Sequence, residues 1–419
     1  GDVYKRQTMD CTRCHDHKYD PLSMEDYYSL FAFFNTSAEK GAPGEAGRKQ
    51  KASAPFLELG EDPKKPVRAM IMKDQPRETF ILEQGLFDQK GEKVSPRTPA
   101  VLPSFEGYEP NRLGLARWLV AKENPLFARV TVNRLWQQFF GRGIVGTPDN
   151  FGLQGDLPTH PELLDLLAGE LCDNKWDLQH VIRKIVLSTS YRQDSKFRDD
   201  VDDPDNRLLA RGPSFRLPGE LIRDQALAAS GLLTRKVGGP SVRPYQPEGV
   251  WGDLNAPPSH AEKYAQDTGE ALYRKSLYTY WRRAVPHPAM ATFDAPSRDV
   301  CAVERASTNT PLQALVTLHG PTYFEASRKL AEVSLSQPDP ALDAFRRILS
   351  REPTIREREL LGKLAQERLA HYKADREAAD RLLQIGESPV PTKADKAELA
   401  ALADVCHAIF NLSETLTRN

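Results

Sequence analysis

Apolar positions recur at helical spacing along most of this chain and alternate in only one stretch. Asp20-Pro21 precede Ser23, which can cap a helix with Asp26 three residues on. Tyr27, Leu30, Phe31 and Phe34 then form an apolar stripe, so a helix of about three turns is expected there. Residues 36–65 are polar and rich in Gly, Ala, Lys and Pro, and read as a linker or long surface loop. Val67, Ala69 and Ile71 alternate with Arg68, Met70 and Met72. Thr79 to Leu82 is a second β-type run, and Gly91 is expected to turn the chain before Val94. Prolines 76, 96, 99 and 103 keep these strands short or at edges.

From Asn111 onward the helical period takes over. Leu115, Trp118 and Leu119 share a face. So do Val132, Leu135, Trp136, Phe139 and Phe140, and Gly141 stops that helix. Thr159 with Glu162 reads as a capping box. Amphipathic segments follow at Trp176 to Tyr191 and at Leu217 to Leu233. Residues 240–310 are irregular and proline-rich, with Pro257-Pro258 and Pro286 among them. Thr310-Pro311 and Asp339-Pro340 start two more helices. Thr354 and Glu357 cap a long charged helix to about Ile385, and a last one runs from about Lys393 into Leu412. The expected fold is mainly α with a small antiparallel β insert, α+β overall. Three regions are expected: 1–36, 37–104 and a helical 105–419.

Composition narrows the function classes. Lys and Arg (57) balance Asp and Glu (58), so the net charge of −1 supplies no general attraction to nucleic acid or anionic membrane. No run approaches the roughly 18 apolar residues a spanning helix needs. Five cysteines in 419 residues are too few for a disulfide scaffold. The chain opens without Met or a signal-peptide pattern, and it reads as cut at its N-terminal side.

Cys11-Thr12-Arg13-Cys14-His15 has the C-x-x-C-H spacing of covalent haem attachment. Two thiols two residues apart can add to the two vinyl groups of one porphyrin, and the next imidazole can take the iron. Three other readings stay open. Cys11, Cys14, His15 and His17 could hold zinc or iron, although His15 and His17 are crowded for separate ligands. The cysteines could form a redox pair, for which the expected βαβ context is missing. They could also be a plain disulfide or free thiols in a loop. For a haem, Met24, Met70, Met72 and His17 are candidate second ligands, and none has a defining spacing.

The remaining motifs are weaker. Gly141-Arg142-Gly143-Ile144-Val145-Gly146 matches G-x-G-x-x-G, but it follows a helix where a dinucleotide site needs a strand; it reads as a helix stop and loop. Phe293-Asp294-Ala295-Pro296-Ser297-Arg298 lies in the irregular region beside Cys301, Glu304 and Arg305. It reads either as a capped turn or as a hydrolase site, the latter requiring Asp294 beside a perturbed His or Glu. His180 and His319 read as structural. Cys172 and Cys406 sit within helical patterns as small buried residues; a disulfide among these two and Cys301 stays open.

The stretch from Cys11 to Pro21, continuing to Asp26-Tyr27-Tyr28, resembles the end of the planctomycete cytochrome-c-like domain. Arg112–Leu119, Thr131–Trp136, Gly141–Val145, Asp149–Gly152, Leu187–Tyr191, Phe293–Arg298 and Thr308–Leu315 together resemble the planctomycete domain of unknown function that accompanies it. They cover roughly residues 105–415 in order. The resemblance implies a large bacterial protein that is periplasmic, secreted or otherwise in the cell envelope. It implies haem c on Cys11, Cys14 and His15, with His15 on the iron, and a redox partner protein. The resemblance covers only the end of the cytochrome-like domain. It transfers no catalytic residue to the helical domain, for which the expectation is docking or substrate binding. The alternative expectation is a non-haem envelope interaction or carbohydrate-associated module with a Cys/His metal or structural site.

Overall fold

A computed structural model describes residues 9–36, 56–59, 67–73, 76–251, 264–282, 285–298 and 302–418. The chain divides into two compact units, 1–213 and 214–419. The architecture is mainly α with small two-stranded antiparallel sheets, as the periodicity implies.

In the first unit, helix α1 (Met24–Ala32) starts at the expected capping box: Ser23 accepts from the Asp26 amide, and Asp26 reaches back to the Ser23 amide. Its buried face differs from the predicted stripe. Leu30 and Phe33 enter a core with Met9, Leu115 and Trp118, while Phe31 is exposed. The helix therefore packs on α2 (Arg112–Leu119), whose Trp118 is also fixed by a 3.0 Å bond from Nε1 to the Pro103 carbonyl. Burying such a Trp, Phe and Leu set contributes about 1.5–3 kcal/mol per side chain.

Strands β1 (Phe56–Leu59) and β2 (Val67–Met70) pair antiparallel, with Leu57 opposite Ala69. Part of the segment read as linker is thus a strand. Strands β3 (Thr79–Leu82) and β4 (Lys90–Val94) form a second pair with a register shift between Phe80 and Leu82. Gly91 lies inside β4. The turn comes earlier, at Gln84 and Gly85, both with positive φ.

Helices α3 (Phe127–Phe140), α4 (Pro161–Asp173) and α5 (Leu178–Leu187) build the second core of this unit around Val132, Trp136, Leu164, Leu171, Val181 and Ile185. Trp136 stacks on Phe140 at 4.0 Å. Gly141 takes the left-handed conformation that ends α3. Gly143 then passes the buried amide of Asn133, which donates to the Val145 carbonyl and accepts from the Val145 amide. The glycine run is a helix stop and clamped loop. The Thr159 capping box does not form: His160 is the N-cap, Pro161 opens α4, and the Thr159 hydroxyl donates to Ile144 O instead.

The second unit begins with β5 (Phe215–Arg216), paired with β6 (Thr417–Arg418), and with helix α6 (Gly219–Ala229). A short α7 (Pro288–Thr292) is followed by α8 (Pro311–His319) and α9 (Pro321–Ser334), separated at Gly320. Next come α10 (Pro340–Leu349), α11 (Ile355–Ala374), α12 (Arg376–Leu383) and α13 (Lys396–Phe410), then a final turn of helix, α14 (Ser413–Leu416). Helix α13 is the centre: Leu399, Ala400, Val405, Cys406 and Ile409 are fully buried, and its small residues let α9 and α11 approach closely. The long charged helix expected to reach Ile385 breaks at Asp375, whose carboxylate caps α12 through the Ala378 amide.

Candidate functional site

The Cys-x-x-Cys-His segment folds as one 3₁₀ turn, Cys11–Arg13, with the Cys14 amide donating to Cys11 O. Thr12 is fully buried and its hydroxyl donates to Met9 O at 2.6 Å. With Thr12 inward, Cys11 and Cys14 face out as exposed free thiols. Tyr28 on α1 fastens the turn from below by donating to Arg13 O at 2.9 Å. Gly85 closes on it from the β3–β4 turn. A Cβ there would sit 3.0 Å from Cys14 Sγ, and φ is +75°, so this approach requires glycine.

His15 and His17 are held in opposite ways. His15 is exposed, and its Nδ1 lies 2.7 Å from Asp16 O. A carbonyl only accepts, so the ring donates from Nδ1 and its Nε2 lone pair is free. This is how metal-ligating histidines are oriented. Asp16 is itself fixed, accepting the Met24 amide at the start of α1. His17 Nδ1 instead receives the amides of Tyr19 and Asp20 at 3.3 and 2.8 Å. A nitrogen accepting two N–H bonds carries no proton, so the His17 proton is on Nε2 and no ring lone pair is left open. Asp20 Oδ2 also lies 3.3 Å from His17 Nδ1, but two amides already fill that nitrogen, so this approach is not an ion pair.

Asp20 carries the loop into the helical part of the unit. It is buried, and its Oδ1 accepts the Leu153 amide at 2.7 Å. Gly152 passes so close that a Cβ would fall 2.3 Å from Asp20 Oδ2.

The donor set left open by the turn is two thiols and one imidazole nitrogen within five residues. It matches what covalent haem attachment uses. Among the described residues, no three His, Cys, Asp or Glu side chains gather to hold a metal ion. Of the candidate second ligands, Met24 opens α1, Met72 is exposed, and the side chain of Met70 lies outside the described residues.

The Asp294–Arg298 loop is a clamp. Asp294 has φ +59°, and its carboxylate accepts the Thr308 amide and hydroxyl at 2.8 and 2.9 Å and Arg216 Nη2 at 2.6 Å. Burial alone would raise its pKa. The Thr308 bonds and the Arg216 cation outweigh that and hold it below the usual carboxylate range. Its partners are thus Arg216 and Thr308, where a hydrolase site called for a perturbed His or Glu. Ser297 O accepts Trp281 Nε1, and the Arg298 guanidinium lies 4.4 Å from the Trp281 ring centroid. Cys172 and Cys406 are free thiols, and Cys301 lies outside the described residues. His180 pairs with Glu170 at 2.8 Å on the outside of α5. No described helix is long and apolar enough to cross a membrane.

A family model, PSD1, described as a protein of unknown function (DUF1553), matches residues 111–365, more than half of the chain. A second, PSCyt2, described as a protein of unknown function (DUF1549), matches residues 2–39 and so contains the Cys11–His15 turn. No curated protein and no solved structure matches the chain.

Proposed function

The chain belongs to the PSD1 family of proteins of unknown function, and from that premise we propose that it carries a c-type haem on Cys11, Cys14 and His15. In this reading it is a redox or electron-transfer protein of the bacterial cell envelope that meets a redox partner protein, and its helical units serve docking or binding. One observation carries the proposal: His15 donates from Nδ1 to Asp16 O and keeps Nε2 free beside two exposed thiols, whereas His17 does not. The envelope placement rests on the resemblance of the two regions to planctomycete domains.

Each residue has a separate task. Cys11 and Cys14 offer their Sγ atoms for thioether bonds, and the buried Thr12 between them keeps both pointing outward. His15 would hold the iron through Nε2, its ring fixed by the Asp16 carbonyl, which raises the basicity of that nitrogen. Tyr28 and Gly85 hold the turn in place. When bound, the haem supplies one-electron chemistry at its iron.

The test is expression of the full-length protein in cells with haem-maturation machinery. The expected result is covalent haem in a pyridine haemochrome spectrum, lost in Cys11→Ala/Cys14→Ala. A protein that matures without covalent haem overturns the proposal. Stoichiometric zinc or iron without porphyrin absorbance would instead favour the non-haem alternative, an envelope interaction or carbohydrate-associated module.

A further inference from the structure

The second unit contains a cavity of about 410 Å³ between α6, α7, α8 and the start of α9. That is within the size range of small-molecule sites, which are mostly apolar with a few placed polar groups. Pro247, Met290, Phe293, Leu312, Leu315 and Val316 line its apolar wall. Leu312 and Leu315 are 62% and 48% exposed, so they stand at the opening. No carboxylate is among the described lining residues.

The polar groups in the wall are buried and incompletely satisfied. His287 is 6% exposed and its Nε2 donates to Tyr245 O at 3.0 Å. Its Nδ1 therefore carries a lone pair, and that atom has no hydrogen-bond partner. Gln246 Nε2 is likewise buried without an acceptor. Tyr323, on α9, lines the same wall and is buried. Arg223 commits both Nη atoms to the carbonyls of Leu272 and Arg274 and to Ser276 Oγ. Among the described residues, the carboxylate nearest its charge is Asp224, 3.7 Å away. Buried polar atoms without partners are uncommon and costly.

We propose that this cavity binds a small apolar molecule carrying one hydroxyl, a phenol or an aliphatic alcohol. The donor set selects that head group. A hydroxyl donates to His287 Nδ1 and accepts from Gln246 Nε2 or the Tyr323 hydroxyl. A carboxylate only accepts, and would leave the His287 lone pair unpaired. A cationic amine would meet the Arg223 charge and no carboxylate. The apolar wall takes the body of the ligand. Nothing in this reading depends on the Cys11–His15 turn, which lies in the other unit.

The test titrates the full chain with 4-propylphenol, its methyl ether 4-propylanisole, and 4-propylbenzoate, by calorimetry and saturation-transfer NMR. Saturable binding of one phenol per chain is expected, at least tenfold tighter than the ether or the benzoate. His287→Phe should bring phenol and ether to within twofold of each other. Leu315→Trp, placed at the opening on the surface of α8, should weaken the phenol at least tenfold and carries the test if His287→Phe does not fold. Equal binding of the ether, tighter binding of the benzoate, phenol binding untouched by Leu315→Trp, or no saturable phenol binding would each overturn the proposal.

Discussion

Asp20 accepts the Leu153 amide at 2.7 Å, across 133 positions of sequence. The loop that presents His15 is thereby anchored to a loop of the helical part through one buried carboxylate. The same residue's amide pins His17, so one position sets both the loop path and the ring that is not free. Gly152 completes the contact, because any side chain there would strike the Asp20 carboxylate.

Asp20→Ala should therefore destabilise the chain by about 1 kcal/mol, the net worth of a typical intramolecular hydrogen bond, because the freed Leu153 amide lies in an exposed loop where water can reach it. Gly152→Ala should also destabilise it. In the double variant the second change should cost less than it does alone, since removing the carboxylate frees the space for the new methyl. Urea denaturation of the three variants checks this. Strict additivity would show that the two residues do not share the contact.

The cysteines should separate by reactivity. Cys11 and Cys14 are exposed, whereas Cys406 is fully buried on α13, and burial pushes its thiol far above the usual range. Brief alkylation of the native, haem-free chain should label Cys11 and Cys14 and spare Cys406, which should react only in denaturant. Mass spectrometry of the peptides decides it. Labelling of native Cys406 at a comparable rate would contradict the packing around α13.

How much of this could be read in the sequence follows from how local each signal is. The Ser23 and Thr354 capping boxes, the Asp339-Pro340 start and the Gly141 stop are set by residues within four positions of each other, and all appear where expected. The Cys11–His15 motif was legible for the same reason. Signals failed where a competing local residue won. His160 and Pro161 displaced the Thr159 box, and Asp375 capped a new helix inside a charged run that reads as continuous. Strand β1 was hidden because its partner sits across a polar loop. The cavity around His287 was invisible: its walls come from residues 219–223, 245–247, 287–293 and 312–323, and no periodicity links them. The opposite wiring of His15 and His17 was equally out of reach, since both are histidines in one short loop and only their hydrogen bonds differ.

Acid should weaken the second unit partly through Arg351. Its guanidinium bonds Glu357 and Glu414 at 2.6 to 2.9 Å. The Arg351 bond, outweighing burial, holds the Glu357 carboxyl down at about 2. A depressed carboxyl contributes stability above its unfolded value of about 4.3, and the contribution is lost as pH falls toward the folded value. Wild type should therefore lose more stability between pH 4.5 and 2 than Arg351→Ala does. Urea midpoints at several pH values measure it, and parallel curves for the two proteins would rule the pair out as a source of acid sensitivity.

His287 should produce a second pH dependence, in a higher window. Burial, reinforced by the Arg223 charge, lowers its pKa to about 4 from the ordinary 6.5. The folded chain thus resists a proton that the unfolded chain takes up from about pH 6.5 downward. Between those values the unfolded state binds more protons, so stability rises with pH there and falls on acidification. The full effect, reached at about pH 4 and below, is on the order of 3 kcal/mol. His287→Phe removes the titrating group, so the variant should lose less stability than wild type between pH 6.5 and 4 and run parallel to it above pH 7. The two acid effects are separable because Arg351→Ala acts only below about pH 4.5. If His287→Phe and wild type kept a constant stability difference from pH 7 to 4, the imidazole would not be the neutral, buried acceptor on which the hydroxyl-binding cavity depends.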